Sequence, residues 1–92
     1  MRMNEQRISV IRARLEEALT PEMIEIDDES HLHAGHAGAR DGRGHFRIAV
    51  ISTRFSGLPR IQRHQLVYVA LGNLMQTDIH ALAIQALAPE DI

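Results

Sequence analysis

The chain of 92 residues has no cysteine and no tryptophan, and its aromatic side chains are Phe46, Phe55 and Tyr68. Without a thiol there is no disulfide, no thiolate zinc site and no cysteine nucleophile, and the composition fits a reducing compartment. Soft iron–sulfur chemistry at such a chain would need thiolates from another molecule. With so few aromatics the interior must be aliphatic, and one small domain over residues 1–92 is the expectation. Charge of one sign is also missing: ten basic and twelve acidic residues give a net charge of -2. There is thus no general attraction to nucleic acid or to an anionic membrane. No apolar run approaches the roughly 18 residues that span a bilayer, and the opening Met1-Arg2-Met3-Asn4-Glu5 lacks an apolar signal region. The expectation is a soluble, cytoplasmic protein with no membrane contact. Catalytic patterns are absent too. The serines stand in no nucleophile-elbow context, no glycine motif cradles phosphate, and the acid pairs Glu16-Glu17 and Asp27-Asp28 are adjacent rather than convergent. No enzyme is expected.

What the chain does have is histidine, six in all. Three crowd the segment His31-Leu32-His33-Ala34-Gly35-His36, His45 follows, His64 sits further on, and His80 lies in the apolar run Ile79-His80-Ala81-Leu82-Ala83-Ile84. Neutral imidazole is the commonest protein metal ligand and titrates near neutral pH. Metal binding by the trio alone, without a partner, is one reading of that cluster.

Spacing organises the rest. Ile8, Ile11, Leu15 and Leu19 recur at helical period, with Arg7, Arg12, Arg14, Glu16 and Glu17 on the remaining surface, predicting a helix over residues 4–20. Asn4 is its expected N-cap, and Pro21 ends it. Residues 23–27 alternate as a short strand. Residues 28–44 are rich in Gly, Ala and His, and read as a long mobile loop. Residues 45–53 are the strongest strand signal, with both faces expected to be covered. Ser56-Gly57-Leu58-Pro59 turns into a helix over 60–75 with an inward stripe of Ile61, His64, Val67, Tyr68, Leu71 and Leu74, and a third strand follows over 79–86. The predicted order is helix, strand, strand, helix, strand. Two strands joined by a loop pair antiparallel, and a strand-helix-strand crossover is parallel. An α+β fold follows, with a small mixed three-stranded sheet covered by helices on one face.

Several spaced motifs occur in order: Gly44-His45-Phe46-Arg47-Ile48-Ala49-Val50-Ile51-Ser52, Phe55-Ser56-Gly57, Arg63-His64-Gln65-Leu66-Val67-Tyr68, Ile79-His80-Ala81-Leu82, and Pro89-Glu90. Together, over residues 7–90, they resemble the BolA family. The resemblance implies a fold similar to the class II KH domain. It also implies a partner, a monothiol glutaredoxin carrying the sequence CGFS, and a [2Fe-2S] cluster shared with that glutaredoxin and glutathione. The family ligand before Ala-Leu falls on His80. A second ligand comes from the loop, where His33 matches best and His36 and His31 are rivals; three histidines stand where one would suffice. In isolation the protein is expected to hold no cluster and to be a monomer or weak homodimer. Imidazole in place of thiolate lowers the negative charge around a cluster and raises its potential.

His45 at the strand entry and His64 in the helical stripe read as packed residues rather than ligands. Arg54, Arg60 and Arg63 flank the turn into the second helix as a local basic patch. Some BolA members are described as transcriptional regulators, so DNA is the alternative partner. The turn Gly57-Leu58-Pro59-Arg60, however, lacks the second glycine of a GXXG clamp. The same arginines could meet a carboxylate of glutaredoxin or glutathione.

Overall fold

A computed structural model describes residues 3–30 and 42–92. Helix α1, Asn4–Leu19, presents Arg7, Ile11, Leu15 and Leu19 inward at four-residue spacing. The hydrophobic positions match the sequence pattern, but Arg7 lies in the inward row, 4% exposed, rather than on the surface. Its guanidinium is neutralised by Asp78 in space, 71 residues away, a partner no local pattern encodes. The N-cap is Met3, not Asn4. The Met3 N–H is satisfied by Gln6 Oε1 at 2.9 Å, which leaves the Asn4 side chain to bind elsewhere. At the other end Thr20 turns left-handed, with φ 39°, and Pro21 follows.

Strand β1, Met23–Asp28, pairs antiparallel with β2, Gly44–Ile51, and β2 pairs parallel with β3, Ile79–Leu87. The order β1-β2-β3 is the mixed sheet anticipated from the sequence. Phe46, Ile48 and Val50 of β2 are buried with Ile11, Leu15 and Leu19 of α1 in one core. The opposite face of β2 is not covered as expected: Arg47 is exposed, and Ala49 and Ile51 are half-buried. Among the described residues the helices pack on the Phe46, Ile48 and Val50 face, which leaves the other face partly open.

After β2, Ser52 is fully buried; its hydroxyl donates to Leu19 O at 2.6 Å and accepts from Arg54 N at 3.1 Å. It thereby ties the end of α1 to a short 3-10 turn, Thr53–Phe55, whose Phe55 enters the core. Helix α2 runs Arg60–Leu71, shorter than predicted, because Gly72 leaves helical geometry at φ 55° and a separate turn, α3, covers Leu74–Thr77. The carbonyl of Leu71 released at that break accepts from Arg14 at 3.2 Å. Val67, Leu71 and Leu74 are buried as expected. Ile61 and Tyr68, assigned to the same stripe, are 68% and 42% exposed, and His64 is only half-buried. The buried face is turned toward Leu66 and Ala70 instead.

Gly44 opens β2 beneath the ring of Phe46: a Cβ built there would fall 2.5 Å and 2.6 Å from two ring carbons. Phe46 is 2% exposed and has no free direction in which to move. Gly44→Ala should therefore overpack the core and cost about 1–3 kcal/mol, read as a lower urea midpoint at unchanged slope. An unchanged midpoint would show that Phe46 relaxes freely.

Candidate metal-ligand site

The pairing of β2 with β3 is not uniform. Gly44 faces Ile79 but the next residue, His45, faces Ala81, so β3 holds one extra residue at that step, and it is His80. A bulge of this kind redirects a side chain and interrupts regular pairing. Here His80 is exposed, and its ring centroid lies 5.1 Å from that of His45, with the planes tilted 52°. His45 itself is 5% exposed, in keeping with the packed role read from the sequence, and forms the wall against which His80 stands.

Arg43 completes this corner. Its Nη2 lies 3.2 Å from His80 Nδ1, while Nη1 donates to the carbonyls of Met75 and Gln76 at 3.4 Å and 3.3 Å. Neither Arg43 nor the His45–His80 approach was anticipated from the sequence. Both depend on strand register, and the only sequence hint is the position of Arg43-Gly44-His45 at the mouth of a strand.

A buried polar chain holds the corner in place. Arg7 Nε meets Asp78 Oδ2 at 3.3 Å, with both side chains about 5% exposed. Arg7 Nη1 donates to Asn4 Oδ1 at 2.9 Å, and Asn4 Nδ2 donates to Asp28 Oδ2 at 2.9 Å and Ser30 Oγ at 3.3 Å. Ser30 Oγ then accepts from His45 N at 3.0 Å, and Gly44 N donates to Asp78 O at 2.9 Å. The network spans the start of α1, the end of β1, the start of β2 and the residue before β3. It fixes Ser30 and Gly44, which bracket the segment joining β1 to β2, beside His80. The predicted ligands His33 and His36, their rival His31, and the mobility expected of that loop lie outside the described residues.

Chemically the corner offers imidazole nitrogen. Among the described residues no group of three or more His, Asp or Glu side chains gathers to hold a metal ion. His80 therefore needs donors from beyond them.

The basic patch separates in space. Arg54 and Arg60 are exposed. Arg63 is not part of the same open surface: its Nε donates to Leu58 O at 2.7 Å, and its Nη1 donates to Ala86 O at 3.2 Å and to the Asp91 carboxylate. It clamps the turn before α2 and the end of β3 to a final 3-10 turn, Pro89–Asp91. The Arg63 guanidinium, helped by the Ala88 N–H, holds the Asp91 carboxyl below the usual carboxylate range. His64 lies with Arg60, Leu58 and Gln85 along a cleft of about 340 Å³ between α2 and β3. Among the described residues no helix is long and apolar enough to cross a membrane.

Comparison with known proteins agrees with this architecture. The BolA family profile, described as BolA-like protein, matches residues 15–91. BolA-like protein 1 of Mus musculus is 49% identical over 81 residues, covering 88% of this chain and 57% of that protein. The chain thus spans little more than half the length of this curated relative. The DNA-binding transcriptional regulator BolA of Haemophilus influenzae is 32% identical over 82 residues, covering 89% of this chain and 77% of that protein. Among solved structures, the BolA domain of SufE1 from Arabidopsis thaliana superposes with a TM-score of 0.82 at 35% identity, covering 94% of this chain and 95% of that one. With the family profile matching from α1 to the final turn and the same mixed sheet present, the chain belongs to the BolA family.

Proposed function

We propose that this protein is a non-enzymatic adaptor that binds a monothiol CGFS glutaredoxin and co-ligates a [2Fe-2S] cluster for iron–sulfur trafficking or for iron and redox signalling in the cytoplasm. The carrying observation is the placement of His80: exposed on a strand bulge, at the corner where the histidine-bearing segment begins and ends. A rigid strand supplies one imidazole at a fixed point, and the adjoining segment supplies a second, His33 or its neighbour His36. With no cysteine in the chain, the thiolates come from the glutaredoxin and from glutathione, and the cluster is cargo held between two proteins. The neutral nitrogens do not add the negative charge that further thiolates would, so the complex suits exchange better than permanent electron transfer. The reading treats the free protein as cluster-free and as a monomer or weak homodimer.

Adding the protein to a cluster-loaded monothiol glutaredoxin should change its visible absorption and circular dichroism to a spectrum of the mixed pair. If the glutaredoxin spectrum stays as it was at excess protein, the proposal fails.

A second reading, a nucleic-acid-binding regulator, draws on the exposure of Arg54 and Arg60 and on the name of the Haemophilus influenzae relative. It predicts DNA affinity that falls steeply with salt, and a salt slope reduced by about one for each of Arg54→Ala and Arg60→Ala. Arg63, engaged within the fold, should contribute through stability rather than through phosphate contact. Absence of binding at low salt would remove this reading.

A further inference from the structure

An arginine guanidinium only donates hydrogen bonds, because it stays protonated and has no acceptor. The 3.2 Å contact between Arg43 Nη2 and His80 Nδ1 therefore fixes the role of that ring nitrogen: Nδ1 accepts, and the neutral imidazole carries its proton on Nε2. Turning the ring over would set a carbon against the guanidinium N–H, so the contact also selects the ring's orientation. Arg43 is held independently of His80, since Nη1 is anchored on the carbonyls of Met75 and Gln76 beyond α2. That anchorage lets the guanidinium tip away from the ring without leaving the corner.

This geometry conflicts with ligation through either nitrogen. A metal at Nδ1 would occupy the lone pair that Arg43 now engages. A metal at Nε2 would require the proton to move to Nδ1, where it would face the N–H of Arg43 donor to donor. From this conflict we propose that Arg43 is a latch on His80. It engages Nδ1, the nitrogen through which this tautomer would ligate, and must withdraw before His80 can take up its share of a cluster. The inference rests on the adaptor reading and adds a control element to it: Arg43 opposes ligation, so cluster uptake is coupled to whatever competes for its guanidinium. A carboxylate on the partner, the group best matched to a guanidinium fork, is the chemistry that would draw it off.

The test has two readouts. In the metal-free protein, two-bond proton–nitrogen correlation spectra of nitrogen-15-labelled histidine report the protonation site of each ring. Wild-type His80 should show Nε2 protonated and Nδ1 with the shift of a hydrogen-bonded acceptor. Arg43→Ala should move Nδ1 toward the shift of an unbonded nitrogen, and Arg43→Lys, which keeps a donor, should fall between. In titrations of cluster-loaded glutaredoxin, Arg43→Ala should reach the mixed spectrum at about tenfold lower concentration, the size expected for losing one charge-assisted contact that must otherwise be broken. A proton on Nδ1 of wild-type His80, a Nδ1 shift untouched by Arg43→Ala, or weaker assembly by that variant would each overturn the latch. If neither protein alters the glutaredoxin spectrum, the adaptor reading falls, and the tautomer measurement still decides whether Arg43 governs His80.

Discussion

Replacing His80 with alanine is expected to abolish the mixed cluster spectrum with a monothiol glutaredoxin while leaving the fold intact. The side chain is exposed on a bulge and stands outside the core, so its removal should cost about 1 kcal/mol or less, chiefly its contacts with Arg43 and the His45 ring. Loss of spectrum with retained stability would separate a ligand from a structural residue. Variants at the neighbouring histidines should behave differently. His45→Ala would remove a buried ring from behind His80 and should lower stability as well as assembly, while His33→Ala and His36→Ala should act on assembly alone, to the degree that each serves as second ligand. Should His80→Ala yield the wild-type spectrum at the same concentration, His80 is no ligand, and the adaptor proposal loses its central residue.

Arg7→Ala is expected to produce the largest loss of stability among single substitutions outside the hydrophobic core, about 3–5 kcal/mol. The change leaves the Asp78 carboxylate buried without its guanidinium, and removes the donor that orients Asn4 toward Asp28 and Ser30. For a domain of this size, whose total stability is of order 5–15 kcal/mol, the variant would be close to unfolding at room temperature. Urea denaturation followed by far-ultraviolet circular dichroism measures the effect. The double change Arg7→Met with Asp78→Leu should be markedly less harmful than Arg7→Ala alone, because no charge is then left stranded in the interior. A cost below about 1 kcal/mol for Arg7→Ala would mean that water reaches the pair, and that the loop bracket at Ser30 and Gly44 is held by other bonds.

The elements of the fold were legible because their causes are local. The four-residue recurrence of Ile11, Leu15 and Leu19, the alternation of Phe46, Ile48 and Val50, and Pro21 and Pro59 at element boundaries each act within a few residues of where they stand. Connectivity then set the mixed sheet. What escaped the sequence was set across the chain. Arg7 looks like a surface arginine until Asp78 is brought beneath it, and Arg63 looks like part of a basic patch until Ala86 and Asp91 close over it. The meeting of His45, Arg43 and His80 requires the bulge, and the offset of one residue between two strands leaves no mark on either taken alone. The early end of α2 turns on Gly72, and a single glycine in a helical pattern does not tell a weakened turn from the full break that the backbone makes there.

That break gathers side chains from separate elements onto one short stretch of backbone. A continuous helix spends its carbonyls on its own amides four residues on, whereas here those of Leu71, Met75 and Gln76 are read by arginines arriving from two directions, Arg14 from α1 and Arg43 from the mouth of β2. The interruption is thus a mechanical junction. A shift of α1 against α2 would therefore act on the same short stretch of backbone that anchors the guanidinium beside His80.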